Sequence, residues 1–434
     1  MLFRSNLPAG AVGFAAVAQV GRQSWENPTD QRVVNGLFWG LTGTQGEGER
    51  TNEAVAVEFR VPLLSKLTAS VSGRYDRYTN EGLNSDSDPT YKVGLEFRPI
   101  ESLLIRGNVA TAFKAPDMAY VFAGNSGFYT SVTDYYRCAT EEPGVPLEDC
   151  STNDEQVFGN RAGSPTLESI TARSSGLGVV WSPSPNFDMS ADYYHIKIDN
   201  KVSDLSLDNL LQTESACRLG QLDPSSPSCV DALARISRAG PAAPEPNQLT
   251  GVQINPINIS TEEIKGITAK LNYRLPTDSW GTFGLNLDYN VTLDHLSQQY
   301  PQDPLLDLLN EPFYSSEFPN VGSATVTWEK GHWTNSLHAT RYGRTPNFLA
   351  QVNEAGYDVP GTKKVSAQML VNGTVGYDFN DDISLMFTVN NLFNKMAPSD
   401  PTWTDYPYYN IFNYNGYGRS YMLEINWRFG ASSQ

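Results

Sequence analysis

From Ala367 to Phe379 the chain alternates. Ala367, Met369, Val371, Gly373, Val375, Tyr377 and Phe379 fall on one side, with Gln368, Leu370, Asn372, Thr374, Gly376 and Asp378 on the other. A period of two marks an extended strand with two unlike faces. Asn380-Asp381-Asp382 makes a tight turn, and Ile383, Leu385, Phe387 and Val389 restart the pattern. After a long loop, a last strand sets Tyr421, Leu423, Ile425, Trp427 and Phe429 against Ser420, Met422, Glu424, Asn426 and Arg428. An apolar face ending in aromatics, with charges behind it, predicts an all-β fold. The expected architecture is a transmembrane antiparallel β-barrel, greasy outside and wet inside.

The same rhythm runs upstream. A first strand is predicted over about Gly10–Trp25, before a Gly- and Asn-rich loop to Arg50. The second carries Val55, Val57, Phe59 and Val61 outward and Glu58 and Arg60 inward; the third, Leu67–Tyr78, sets Leu67, Ala69, Val71 and Tyr75 against Ser70, Ser72, Arg74 and Asp76. A polar loop through Asn84-Ser85-Asp86-Ser87-Asp88 leads to a fourth with Tyr91, Val93, Leu95 and Phe97, and a fifth opens at Leu103. A cysteine-bearing loop (about 115–168) precedes a strand ending at Trp181, and the next covers Phe187–Val202. A second cysteine loop, with a short helix at Leu205–Leu219, leads to strands ending near Leu275, carrying Leu285 to Val291, and flanking Glu329-Lys330-Gly331. That makes about fourteen strands. Tight turns alternate with long loops, as expected when one rim faces the periplasm and the other the outside. An even number puts both chain ends on the short-turn side.

Composition narrows this further. The chain has 434 residues, 40% of them hydrophobic, with mean hydropathy −0.38. No run nears the ~20 apolar residues of a spanning helix; Leu7–Gly21 is interrupted by Pro8, Gly10 and Gln19. Barrel strands bury only alternate residues in lipid, so mean hydropathy does not reveal them. The 22 Tyr and 8 Trp suit aromatic girdles. A net charge of −17 argues against nucleic acid and against a polybasic membrane anchor. An acidic soluble β protein is the rival reading. Met1-Leu2-Phe3-Arg4 does not open a secretion signal, so a mature, truncated or fragmentary chain is expected.

Cys138/Cys150 and Cys217/Cys229 are equally spaced pairs in turn-rich stretches. Four cysteines allow three pairings, and the two local ones are favoured. Each would close a loop of roughly a dozen residues, worth about 3 kcal/mol in the chain-entropy model, and implies an oxidising compartment. The competing zinc reading lacks a C-x-x-C and a nearby histidine cluster.

Several blocks resemble the barrel of TonB-dependent outer-membrane receptors. Leu103 to Pro116 (LLIRGNVATAFKAP) looks like the family strand ending in an aromatic-basic-Ala-Pro step. Ser182-Pro183-Ser184-Pro185 before Asp192 to Ile198 is similar to a recurrent hairpin, and Val389 to Lys395 with Gly418 to Phe429 resembles the closing strands. The sequence departs from the pattern at Ser164, where the family has Asn, at Ser169-Ile170, where Pro-Glu is usual, and in a tail, Gly430 to Gln434, after the closing aromatic. Family members carry a TonB box and a plug before a barrel of about 22 strands. Neither segment is visible here. The resemblance therefore implies one partial barrel domain over residues 1–434, the C-terminal portion of the larger barrel, without the plug.

Inward charges include Arg60, Arg74, Asp76, Glu96, Arg106, Glu424 and Arg428, with Glu58, Arg98, Asp192 and Asp288. In the family such a lining packs on the plug and wets the pathway; structurally it keeps the lumen polar. Candidate ligand contacts are the loop aromatics Tyr129, Tyr135, Tyr136, Trp403, Tyr406, Tyr408 and Tyr409, which can stack on sugars or flat chelates or serve as interface girdle or loop packing. Ser85, Asp86 and Asp88 could hold Ca²⁺, against a solvated acidic loop; no metal site is assigned and no cofactor is implied. His195, His295, His332 and His338 are dispersed, and neither G-x-S-x-G nor H-E-x-x-H occurs, so an enzyme is not expected. The resemblance implies energised uptake of a scarce ligand (a ferric siderophore, cobalamin or an oligosaccharide) across the outer membrane of a Gram-negative bacterium. Its partners would be outer-membrane lipid, a metal chelate or glycan, and TonB acting only through the missing plug. The alternative is a self-closed passive porin of about fourteen strands.

Overall fold

The computed structural model describes residues 5–35, 37–38, 43–83, 85–298, 305–310, 317–347, 364–403 and 406–429. The three-residue β1 (Ser5–Leu7) precedes β2 (Gly10–Asn27), the short α1 (Gln31–Val34), β3 (Gly46–Leu64), β4 (Leu67–Asn80), β5 (Ser85–Ile100) and β6 (Leu103–Lys114). Then come α2 (Met118–Phe122), β7 (Ser126–Val132), α3 (Tyr135–Glu141), β8 (Glu155–Arg161), β9 (Ile170–Ser184) and β10 (Phe187–Ser203). They are followed by α4 (Leu207–Arg218), α5 (Pro227–Arg235), β11 (Ile236–Arg238), β12 (Leu249–Gln253), β13 (Ile257–Thr277) and β14 (Gly281–Gln298). The chain continues through β15 (Leu306–Asp307), β16 (Asn320–Lys330), β17 (Trp333–Tyr342), β18 (Gln368–Asp378), β19 (Ile383–Asn390) and β20 (Ser420–Trp427).

One sheet runs β1-β2-β3-β4-β5-β6-β9-β10-β13-β14-β16-β17-β18-β19-β20, with β15 added on β14. Setting aside the stubs β1 and β15, fourteen long strands make the wall, as the alternation predicts. Every pair in it is antiparallel, and consecutive strands are neighbours except where β7–β8 and β11–β12 intervene. Among the described residues the path ends at β1 and β20.

Register explains the two faces. Phe59 stands opposite Val71, Val71 opposite Val93, and Val93 opposite Val109. Further round, Leu177 meets Tyr193, Tyr193 meets Ile267, and Ile267 meets Val291. Most of these residues are solvent-exposed in the isolated protein, Leu177 at 61%, Val109 at 48% and Val71 at 44%, with Ile267 and Val291 half-buried. A soluble sandwich would bury such rows against a second layer; here lipid covers them. Aromatics collect at the short-turn end, where Trp181 packs on Phe187 at 5.6 Å, Phe187 on Tyr273 at 6.1 Å, and Trp333 on Tyr377 at 4.7 Å.

Tight hairpins close that rim. β16 and β17 join through Gly331-His332, with Gly331 at φ +57° and Lys330 opposite Trp333. That left-handed conformation costs glycine little and a branched residue much. Similar turns join Leu64 to Leu67 and Ile100 to Leu103. A tilted strand needs about 10 residues to cross the membrane; β3 has 19 and β13 has 21. The surplus projects beyond the lipid at the long-loop rim.

One connection departs from the sequence reading. Ser85 to Asp88, expected as loop, is strand: Ser85 pairs with Thr79, Asp86 with Tyr78 and Asp88 with Asp76. The β4–β5 connection is therefore short, although it lies on the long-loop rim. Above the lipid a strand need only satisfy its backbone hydrogen bonds, so it can be polar on both faces and escape a search for alternation. This also places Asp86 in a strand, where it accepts a hydrogen bond from the Ser169 hydroxyl, rather than in an open acidic loop. The tail Gly430 to Gln434 and residues Met1 to Arg4 lie outside the described residues.

Candidate ligand-capture site

The two cysteine loops, predicted as separate excursions, fold together. A four-stranded sheet runs β11-β12-β8-β7, and its centre is a parallel pairing of β12 on β8, Val252 with Gly159 and Gln253 with Asn160. β7 and β8 come from the 115–169 connection, β11 and β12 from the 204–256 connection. Asn258 clasps the base, its side chain accepting from the Glu168 amide at 2.9 Å and donating to the Glu168 carbonyl at 2.8 Å. The result is a knob on the long-loop rim.

Local chemistry builds its helices. Asp134 caps α3, Ser206 caps α4 and Ser226 caps α5, each accepting from an amide in the first turn; Pro227 sits where α5 begins. α4 turns Leu210, Leu211 and Glu214 inward. Leu210 and Leu211 join Val157, Ala232, Ile236, Leu249 and Val252 in a core, so strands and helices from both loops bury apolar surface jointly. Disulfides Cys138–Cys150 and Cys217–Cys229 tie α3 to the segment after it and α4 to α5. These are the two local pairings expected from the spacing.

Beside that core lies a buried ionic hub that the sequence analysis did not identify. Arg238 donates to Asp134 at 2.7 and 2.9 Å, to Glu214 at 2.7 and 2.8 Å, and to the Asn247 carbonyl at 2.7 Å. All five guanidinium N–H groups are thereby used. Asp134 and Glu214 are fully buried, and the paired carboxylates hold Arg238 protonated, its pKa raised although burial opposes this. Only three-dimensional proximity reveals the hub, because its members are far apart in sequence.

The tyrosines before Cys138 divide. Tyr129 is 71% exposed and stacks edge-on to Phe158 at 5.4 Å. Tyr136 lies under the guanidinium groups of Arg238 and Arg218, at 5.2 and 5.7 Å. The Tyr135 hydroxyl donates to Asp208 at 2.6 Å and accepts from Gln212 at 3.2 Å; burial, and next the neighbouring Asp208, push its pKa up to about 12. Tyr135 also lines an open cleft of about 770 Å³ with Leu147, Gln212, Leu219 and Leu222. In the β19–β20 loop, Tyr406 and Tyr408 pack edge to face at 6.1 Å and are exposed, as are Phe412 and Tyr417. Trp403 and Tyr409 are half-buried. The knob and this aromatic loop occupy the same rim.

Inward residues pair across the lumen face. Arg60 meets Glu96 at 3.1 Å, Arg74 meets Asp76 at 2.7 Å, and Arg106 meets Asp192 at 2.7 Å. Glu424 accepts from Asn426 at 2.8 Å. Arg428 lies at the short-turn rim, its amide donating to the Asp382 carbonyl at 2.9 Å. Of the histidines, His195 contacts Glu263 at 2.9 Å and His295 bridges Glu262 and Glu317 at 2.8 and 3.0 Å.

No curated protein sequence matches the chain. Solved structures that share its fold include three receptors. The siderophore receptor PirA from Acinetobacter baumannii is 14% identical with TM-score 0.63, over 99% of this chain and 53% of that one. The ferric enterobactin receptor PfeA from Pseudomonas aeruginosa, in a mutant form, is 12% identical with TM-score 0.55, over 97% and 55%. The ferric-catecholate import receptor Fiu from K12 E. coli is 11% identical with TM-score 0.55, over 99% and 53%. The chain thus spans about half the length of the structures it matches. A family model described as "TonB dependent receptor-like, beta-barrel" matches residues 3–392. With that match and an antiparallel wall that is apolar outside and charged inside, this chain belongs to the TonB-dependent receptor β-barrel family.

Proposed function

We propose that residues 1–434 act as one barrel domain of an energised uptake receptor in the outer membrane of a Gram-negative bacterium, and that the ligand is a ferric siderophore. The family match is the observation that carries this reading. It does not favour the passive porin. The siderophore is supported by the solved neighbours, each a siderophore, ferric enterobactin or ferric-catecholate receptor, and by exposed aromatics on the long-loop rim.

In this mechanism Tyr129, Tyr406 and Tyr408 meet the planar faces of the chelate. Tyr135 and Tyr136 hold the knob in shape; Trp403 and Tyr409 back the aromatic loop. The paired charges of the lumen keep the pathway wet. TonB acts through a plug, and this wall supplies the surface on which a plug would pack.

The test is a fluorescence titration of the full chain, folded in detergent, with a ferric tris-catecholate. Saturable quenching is expected, weakened roughly five-fold by each of Tyr406→Ala and Tyr408→Ala, since one aromatic contact contributes about 1 kcal/mol. Quenching that never saturates refutes the siderophore reading. Steady open conductance in a planar bilayer, with no chelate bound, would restore the porin.

A further inference from the structure

On the outward face of β9, β10 and β13 the apolar rows stop abruptly. Leu177, Tyr193 and Ile267 form the last of them. The next outward row is Ser175, His195, Lys265 and Asp294, and the one above it is Arg173, Lys197 and Glu263. Lys197 lies ten residues beyond Phe187 of the short-turn girdle. At ~3.3 Å per residue and a tilt of about 40°, that is about 25 Å, the height of the apolar band of an outer-membrane barrel. These charges therefore stand at the depth of lipid headgroups in the outer-facing leaflet.

Two other outward cations on this rim face a carboxylate across the strands: Arg77 stands opposite Glu53, and Lys265 opposite Asp294. Lys265 also reaches Glu263 at 2.9 Å, and His195 shares that carboxylate. Arg173 and Lys197 also stand opposite each other, with Glu263 on the far side of Lys197. Among the described strand pairs they are the one place where Arg or Lys stands directly opposite Arg or Lys. Like charges directly opposed destabilise a sheet, more so at the edge of a low-dielectric layer. Lys197 reaches Asp199 at 4.0 Å, one outward position further from the membrane, while Glu263 opposite it is engaged by Lys265 and His195. Arg173 is exposed, and Leu177 beneath it offers apolar surface to an acyl chain.

We propose that Arg173 and Lys197 clamp the phosphate of an anionic lipid in the outer-facing leaflet, whose acyl chain lies on Leu177 and Tyr193. The forked guanidinium and the ammonium share one phosphate, which offsets their mutual repulsion.

The full chain is folded into phosphatidylcholine nanodiscs doped with phosphatidic acid, released, and weighed by native mass spectrometry. Wild type is expected to retain phosphatidic acid, and Arg173→Gln with Lys197→Gln to hold it about ten-fold more weakly. Arg173→Lys, which keeps the charge, should retain the lipid, as should the lumen-face variant Arg60→Gln. Equal retention by the double glutamine variant, with heat-modifiable migration confirming its fold, overturns the proposal. So does full displacement by inorganic phosphate, which would mark a site for the free anion.

Discussion

Replacing Arg238 by Met keeps most of the side-chain volume and removes the four hydrogen bonds that join Asp134 and Glu214 through one guanidinium. Asp134 and Glu214 would be left buried, with part of their solvation gone and no guanidinium between them. Breaking a buried pair in this way costs about 3–5 kcal/mol. Two contacts soften the loss: Glu214 keeps its bond from Arg218, and Asp134 keeps the Arg137 amide at 3.2 Å. The lower end, about 3 kcal/mol, is therefore expected, an increase in local opening of roughly a hundred-fold. Hydrogen exchange read by mass spectrometry should show it in α3 and α4, while β13 and β14 of the wall exchange as before. Adding Asp134→Asn and Glu214→Gln removes both stranded charges and should restore most of the protection. Unchanged exchange in α3 and α4 after Arg238→Met would refute the claim that the hub holds the two loops together.

Three further outcomes follow from the same structure. Cys138→Ser with Cys150→Ser, or Cys217→Ser with Cys229→Ser, opens a loop of the same separation, 12; each change should cost about 3 kcal/mol, read as faster proteolysis of the knob with the wall intact. Tyr135 titrates from 10.0 in the unfolded chain to about 12 in place. Its contribution is therefore full below pH ~10 and lost as pH rises to ~12, at most about 3 kcal/mol; a phenolate absorbance titration in which Tyr135→Phe changes nothing would contradict this. Leu177→Arg, on the lipid face, should destabilise the folded wall by about 2–4 kcal/mol in urea titrations from liposomes, and a neutral result would mean that lipid does not touch that row.

Residues within the lipid are legible because two solvents act on one strand. Leu177 must be apolar and Asp192 can be charged, so the period of two survives in β9, β10 and every other wall strand. The hairpins are equally local: Gly331 marks its turn by what its backbone must do. Ser85 to Asp88 was missed for the converse reason, since water bathes both faces there and the alternation lapses although the strand does not. The cysteine pairs were readable because each closes on itself within a short span. The parallel step from Val252 to Gly159 was not, because nothing local to either loop encodes the other.

That contrast accounts for how the knob is held. The wall takes its order from the membrane, whose apolar interior forces every backbone group into a partner. Above the headgroups this constraint is gone, and loops as long as 115–169 and 204–256 would be costly to order on backbone pairing alone. Order there has to come from inside the protein. The seven-residue core, the saturated Arg238 and two covalent links supply it. Joining the loops through β8 and β12 makes one body of two excursions, so any movement of the knob must carry the ends of β6, β9, β10 and β13 with it or break the Asn258 clasp at its base.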